Sequence, residues 1–553
     1  MKRRVFLMAA SIAAVAAAVP AQALPDGFKE QADALLAASY PADGPGAAVV
    51  ISEKGQIVYR GARGLADIEA KRPITPQTVF RIGSITKQFS AAVVLQLAAE
   101  GKLKLSDPVS KYFPDYPQPG ASATVAQLLN HTVGIQSYTG IPGWMTEANA
   151  NRAYTTEQLM AVFKDLPAPS KPGEKFDYNN SGYILVGALI EKVTGNGWAA
   201  EVERRIAKPL GLKTLQYGVR EAEVAAMAKG YTDGERGQEL ARKIHMSVPG
   251  AAGALIANAE DLAIWGHALH HGKVVPQPFY AQMIAPTKLA DGKIENYGFG
   301  LSQAEVRGAD VVGHGGGIFG FSTDSVYVPQ NDLFVAVLTN SDEPAVSPGT
   351  VMNRLTALAI GKPYPTLATV PVEKAEVEPL LGVYQFKDAK RTLALRGGKL
   401  TAQRDDNPEL DLFAAGEDRF HYGADTLSWF EVRRDPAGKH VMTFYPNGED
   451  EVMVGTWIGP VPAVVEVNVP RDKLAAYAGS YTTLMGKVAI ALAAEDKLTI
   501  QLAGQPALAM RATSGTEFAV DKVGAKVRFA SEGGKVSGLE IDHGGRKFPG
   551  TRD

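Results

Sequence analysis

The stretch Phe80-Arg81-Ile82-Gly83-Ser84-Ile85-Thr86-Lys87-Gln88-Phe89-Ser90 carries the chemistry of this chain and decides its fold. A helical pattern starts at Ser84 and runs to Glu100, where Gly101 ends it. Among all the serines, only Ser84 has a lysine three positions later. That spacing puts both side chains on one helix face. At a helix N-terminus the Ser84 N–H is free, and the dipole favours an oxyanion. Serine is a poor nucleophile without a neighbouring base. A desolvated lysine with a lowered pKa can be that base. Taken alone, the pair reads more readily as a helix cap followed by a solvated lysine.

Two further constellations lie downstream. Tyr178-Asn179-Asn180 follows the turn-rich Lys171-Pro172-Gly173-Glu174 and precedes a helix. A phenol beside a lysine ammonium is expected to titrate lower and to relay a proton. Asn180 is placed to donate to a substrate carbonyl and to accept from the Lys87 amine. Gly313-His314-Gly315-Gly316-Gly317 precedes an expected strand. Its glycines leave a backbone edge bare, open to pairing with a substrate. A main-chain N–H there can join that of Ser84 in an oxyanion hole. A phosphate loop would need the Walker lysine or the dinucleotide glycine spacing, and both are missing. A tight hairpin with a structural histidine remains the alternative.

Around these motifs, residues 28 to 360 mix helices and strands. Phe28 to Ser39 reads as an amphipathic helix, and Ala47–Ser52 with Gln56–Tyr59 as a hairpin around Glu53-Lys54-Gly55. Tyr183 to Val193 is helical, and Asn258 caps another helix. Strands follow at Asp324–Val328 and Leu333–Leu338. Strands at both ends with helices between predict an α+β domain built on one sheet from distant segments. Beyond the linker prolines Pro363, Pro365 and Pro371 the pattern turns to short strands and Gly, Asp and Asn turns. An internal repeat runs through this part. Leu381-Gly382-Val383-Tyr384 recurs as Ala478-Gly479-Ser480-Tyr481, Lys399-Leu400-Thr401 as Lys497-Leu498-Thr499, Phe420 as Phe518 and Phe430 as Phe529. The near-constant offset predicts two tandem all-β antiparallel barrels.

Composition narrows the function classes. The chain has 553 residues, a net charge of −2 and no cysteine. The charge leaves no footprint for nucleic acid. The missing cysteine excludes disulfides, thiolate metal sites, a cysteine nucleophile and a lipoprotein anchor. Lys2, Arg3 and Arg4, the apolar Val5–Val19 and the small-x-small Ala21-Gln22-Ala23 are expected to form a signal peptide, with the mature chain starting near Leu24. The apolar run is too short for a stable membrane anchor. Arg3-Arg4-Val5-Phe6-Leu7 is also similar to a twin-arginine signal, so the export route stays open while the destination is periplasmic or secreted.

In order and spacing, Ser84-x-x-Lys87, Tyr178-x-Asn180 and His314-x-Gly316 resemble the motifs of the penicillin-recognising serine hydrolases. That family includes class C β-lactamases, D,D-peptidases, D-aminopeptidases and related esterases. Leu128-Leu129-Asn130-His131-Thr132-Val133-Gly134-Ile135 and Gly250 to Trp265 are similar to its flanking segments. The resemblance covers roughly residues 28 to 360, and the whole layout is most similar to D-aminopeptidases with two C-terminal barrels. It implies a β-lactamase/penicillin-binding transpeptidase-like domain, an antiparallel sheet flanked by helices, followed by two lipocalin-like barrels. The expected boundaries are 1–23 for the signal peptide, 24–363 for the catalytic domain, and 372–460 and 466–553 for the barrels. The resemblance also implies acyl transfer. Ser84 attacks a carbonyl, Lys87 and Tyr178 manage the proton, and Asn180 orients the substrate. The Gly315-Gly316-Gly317 edge binds the substrate, with the Ser84 and Gly317 N–H groups on the oxyanion. Neither metal nor organic cofactor is needed. The implied partner is a small peptide, amide or ester, peptidoglycan-derived material included.

One departure bears on substrate. Many β-lactamases and D,D-peptidases carry lysine where His314 stands, and neutral histidine holds a carboxylate less well. This favours aminopeptidase, amidase or esterase chemistry over β-lactamase. A non-catalytic peptidoglycan-binding module is the rival from another class. Among the other histidines, His267, His270 and His271 cluster. The first and last are one helical turn apart, but Ala268 stands where a zinc protease needs Glu. They read as surface or structural, as do His131 and His245. Tyr138 and Trp144 read either as pocket lining or as packing.

Overall fold

The computed structural model describes residues 24–234, 237–405, 407–463, 467–493, 497–544 and 546–553. The expected signal peptide, residues 1–23, lies outside them, as does position 466, where the second barrel is expected to begin. Two compact units divide between Pro363 and Tyr364.

The first unit is built on a six-stranded antiparallel sheet. After helix α1 (Phe28–Ser39) come β1 (Ala47–Glu53) and β2 (Gln56–Arg63), then helices α2 (Thr86–Ala99), α3 (Asn180–Thr194) and α4 (Ala259–His270). Strands β3 (Ser302–Val306), β4 (Ala309–Ile318), β5 (Phe321–Val328) and β6 (Leu333–Thr339) and helix α5 (Pro348–Ala359) follow. The order across the sheet is β3-β4-β5-β6-β1-β2, so the first strands join the last, Ala47 facing Thr339 and Glu53 facing Leu333. Both central strands, β1 and β6, are buried along their whole length. This is why they read as continuous apolar runs rather than alternating ones. Helices α1, α4 and α5 pack on the sheet.

Helix α2 differs from the rest. Residues 86 to 95 are all buried, so it has no solvated face. Phe89 stacks on Trp265 of α4 with ring centroids 4.1 Å apart, and Trp265 Nε1 donates to Gln88 Oε1 at 2.9 Å. A single 3₁₀ turn, Gly83–Ile85, leads into it. Gly313–Gly317 precedes β5 as expected and itself lies within β4, which the sequence reading did not foresee. Glycines carry no strand signal of their own. The ladder forms here because β5, with its β-branched and aromatic residues, pairs with every residue from Val312 to Ile318.

The second unit consists of two antiparallel barrels. In the first, the nine strands between Gly382 and Gly459 form one sheet. Its two end strands, Leu410–Asp411 and Phe413–Ala414, are consecutive in the chain, so it is nearly closed. The second, from Gly479 to Arg552, is a closed barrel. The repeat is structural as well as textual. Tyr384 Oη donates to Leu380 O at 2.5 Å, and Tyr481 Oη donates to Tyr477 O at 2.7 Å, each four residues back. Phe420 with Phe430 and Phe518 with Phe529 fill equivalent core positions at 5.2 and 5.6 Å between ring centroids. Both tyrosines are fully buried, so Tyr384→Phe and Tyr481→Phe should each cost about 1–2 kcal/mol by leaving a carbonyl unpaired. Denaturant melts of the two variants should shift by similar amounts. A large effect of one and none of the other would contradict their equivalence.

Candidate active site

Ser84, Lys87 and Asn180 meet at one point. Lys87 is 0% exposed. Its amine lies 3.0 Å from Ser84 Oγ, 2.9 Å from Asn180 Oδ1 and 2.8 Å from Ala252 O. Burial pulls its pKa well below the usual lysine range. A neutral amine has two protons and one lone pair. Asn180 Oδ1 and Ala252 O can only accept, so they take the two protons. In that neutral form the lone pair is left facing Ser84, so its hydroxyl can donate to Nζ. This is the geometry of a general base on a nucleophile. Each partner is set by local structure. The 3₁₀ turn presents Ser84, and α2 carries Lys87 one turn on. Asn179 caps α3 by accepting from Gly182 N, so Asn180 is the first residue of that helix. Asn180 Nδ2 in turn donates to Thr139 Oγ1 at 3.1 Å, a neighbour with no motif of its own.

Tyr178 lies over the same amine, with Nζ 4.7 Å from its ring centroid. The expectation of a lowered phenol pKa is corrected here. Burial pushes it up, and a hydrogen bond with Ser84 only partly opposes this. The premise weakens because burial disfavours the charged form of Lys87. The phenol is therefore held protonated rather than as a phenolate.

The glycine strand comes up against this point. Strand β3 pairs with β4 only as far as Gly313, leaving that edge unpaired by β3 from His314 onward. The segment carrying Ser84 packs there. A Cβ at position 316 would lie 2.1 Å from Ile82 O, so only glycine fits. Gly317 N lies next to Gly83 and thus to the Ser84 backbone. Ser84, Asn180 and Gly317 line a cavity of about 360 Å³ with Tyr138, Met145, Ile244, Val248, Ile318 and Phe319. His314, Gly315 and Gly316 are not in its lining. Tyr138 does line it, and Trp144 packs edge-on against Tyr138 at 5.2 Å.

His314 is occupied elsewhere, by a residue the sequence reading missed. Tyr297 Oη lies 2.9 Å from His314 Nε2 and 3.1 Å from His131 Nε2. The backbone sets the direction of this chain at both ends. Asn179 N–H donates to His131 Nδ1 at 2.9 Å, so neutral His131 carries its proton on Nε2 and donates to Tyr297. Gly315 O accepts from His314 Nδ1 at 2.5 Å, so His314 Nε2 accepts from the Tyr297 hydroxyl. Burial lowers the His314 pKa to about 4, and burial lowers that of His131 too. His131 is thus a structural residue, fully buried and in the left-handed region at φ 60°. The one sequence signal for Tyr297 is its place in Tyr297-Gly298-Phe299-Gly300, just ahead of β3.

A serine nucleophile, a desolvated lysine base, and a bare strand edge beside the serine N–H define the class of serine hydrolases that work through an acyl-enzyme. The Beta-lactamase family pattern matches residues 34–359, and the chain belongs to that family. It is 28% identical to a D-aminopeptidase of Gluconobacter oxydans over 61% of this chain and 62% of the relative, less than two thirds of the relative's length. It is 25% identical to Penicillin-binding protein 4* of Bacillus subtilis over 74% of this chain and 94% of that one. The D-stereospecific amidohydrolase from a Streptomyces species matches at 30% identity and TM-score 0.52, over 61% of this chain and 98% of its own.

The hydrogen-bond chain makes a pH prediction. His314 is harder to protonate folded (about 4) than unfolded (about 6.5). The unfolded chain therefore binds more protons between these values, and stability falls as pH drops through that window. Tyr297→Phe removes the donor that holds His314 neutral. In imidazole NMR His314 should titrate near 4 in the wild type and distinctly higher in the variant. A wild-type His314 titrating near 6.5 would refute the assigned polarity.

Proposed function

We propose that this serine hydrolase cleaves amides of D-amino acids, releasing N-terminal D-residues from small peptides, with Ser84 as the acyl carrier. The observation that carries the reading is the fully buried Lys87, its pKa lowered by burial and its amine 3.0 Å from Ser84 Oγ. As Oγ bonds to the carbonyl carbon, its proton passes to Nζ. The oxyanion is held by the N–H groups of Ser84 and Gly317. Collapse breaks the C–N bond, and the leaving amine takes the proton from Lys87 by way of the Tyr178 hydroxyl. Water then attacks the ester along the same proton path in reverse, freeing Ser84.

Two features support the amide of an apolar D-residue over a penicillin-like substrate. His314 is neutral and bonded to Tyr297, so it offers no charge to a substrate carboxylate. The cavity walls of Tyr138, Met145, Ile244, Val248, Ile318 and Phe319 suit an apolar side chain, and the charged group in the lining, Arg242, is held over Phe319 with a bond to Met145 O. The D configuration rests on the names of the Gluconobacter and Streptomyces relatives. Esterase or β-lactamase activity is the competing outcome of the same site. A panel of D-Ala p-nitroanilide, its L enantiomer, p-nitrophenyl esters and nitrocefin separates them. Turnover of the D-anilide well above the others is expected, with Ser84→Ala reducing it at least 10³-fold. Preferential hydrolysis of nitrocefin would refute the substrate assignment.

The proposal includes export to the periplasm or medium, supported by the basic, apolar and small-residue pattern of residues 1–23. Among the described residues no helix is long and apolar enough to cross a membrane. Expressed in a Gram-negative host, the chain should be recovered outside the cytoplasm with Leu24 as its first residue by N-terminal sequencing. Recovery of intact Met1 material from the cytoplasm alone would count against it.

A further inference from the structure

Far from Ser84, three side chains converge where α4 ends. His267 lies in the last turn of α4 and His271 just beyond it, their rings 4.0 Å apart. Asp332 follows the short Pro329–Asn331 turn between β5 and β6, in the left-handed region at φ 48°. His267, His271 and Asp332 each present a ligand atom, and these atoms lie within 4.8 Å of one another. From the cavity end of β5 to this turn is about 25 Å, eight residues at about 3.3 Å each.

The hydrogen bonds leave this cluster unbalanced. His271 Nδ1 donates to His267 O at 2.8 Å, which leaves the lone pair of Nε2 facing Asp332 Oδ2 at 3.1 Å. His267 Nδ1 is buried without a hydrogen-bond partner, 3.8 Å from Asp332 Oδ1 and too distant to bond it. A proton on His271 would satisfy that ring and the carboxylate but leave His267 Nδ1 empty. One cation between the three atoms satisfies all of them.

We infer that His267, His271 and Asp332 bind a divalent transition-metal ion of the zinc type. Two imidazole nitrogens and one carboxylate suit such an ion, with water in the fourth position. Tetrahedral coordination at about 2.0–2.2 Å needs donor atoms roughly 3.3 Å apart; the two imidazole nitrogens lie 3.1 and 3.8 Å from the Asp332 oxygens and the set within 4.8 Å, so a small inward shift of the side chains completes the site. The outer partners are those metal ligands need. His271 is oriented by its bond to the His267 carbonyl, and Asp332 Oδ1 accepts from Tyr327 Oη at 3.1 Å. Partial exposure of all three side chains gives the ion a way in. His270 takes no part. It is stacked on Tyr327 at 4.0 Å, with its Nδ1 2.6 Å from Tyr280 Oη. Bound metal would tie the end of α4 to the β5–β6 turn. Its role would be structural, since the Ser84 chemistry needs no metal.

The test uses the full chain without a polyhistidine tag, stripped with chelator. Zn²⁺ at 100 µM should raise the melting temperature by about 3 °C, and Co²⁺ should give visible d–d absorption at one equivalent. Both effects should be lost in His267→Asn, His271→Asn and Asp332→Asn and retained in the barrel variant His440→Asn. Asparagine tolerates the left-handed backbone at 332, so that variant keeps the turn. The Co²⁺ spectrum of the wild type is independent of how any variant folds. Absence of both effects in the wild type, or their survival in all three variants, would overturn the proposal and leave an ion pair between His271 and Asp332.

Discussion

The burial of one amine organises this domain. A lysine in water keeps its proton and has no lone pair to offer. Lys87 has one because α2 is surrounded on every side, by α3, by the Gly250–Gly253 turn and by Trp265. The same burial would be costly for an unpartnered polar group. The cost is offset by two acceptors that no other donor claims, Asn180 Oδ1 and Ala252 O. Nucleophile activation and core packing are therefore one constraint here. Any change that lets water reach Nζ restores the charge and removes the base.

The second constraint is the neutral chain His131–Tyr297–His314. It is anchored at both ends on backbone groups that cannot change role, so each ring is held in one tautomer. It also removes His314 from direct service. In the primary structure this histidine looks like a weakened substitute for a cation at the substrate. In three dimensions it braces β4, and the cavity is left to Ser84, Asn180 and Gly317 among the motif residues. The neutrality of Lys87 and His314 has one cause, desolvation, and each would raise the cost of charging the other.

Much of this was legible in the chain. The hairpin at Lys54-Gly55, the helix from Tyr183, the cap at Asn258 and the tandem barrels all follow from local patterns of turns, caps and repeats. What was misread depended on distant neighbours. The glycine run gave no strand signal because its pairing is supplied by β5. The Tyr178 pKa was misjudged because its direction depends on whether Lys87 is charged, which burial decides. Tyr297 and Thr139 belong to no motif. They matter only because the fold sets their hydroxyls beside His314 and Asn180.

By itself, the sequence determined the residue types and their order: a serine and lysine one turn apart, an asparagine opening a helix, and a glycine edge. It did so because helix periodicity, capping and backbone freedom are local properties, set within a few residues. Tertiary structure alone decided the protonation states, and with them the roles. Whether Lys87 is a base, Tyr178 a neutral phenol and His314 a brace depends on how much water each can reach and which fixed dipoles face it. Those are sums over atoms from segments 165 residues apart, as between Lys87 and Ala252, or more, and no local pattern encodes them.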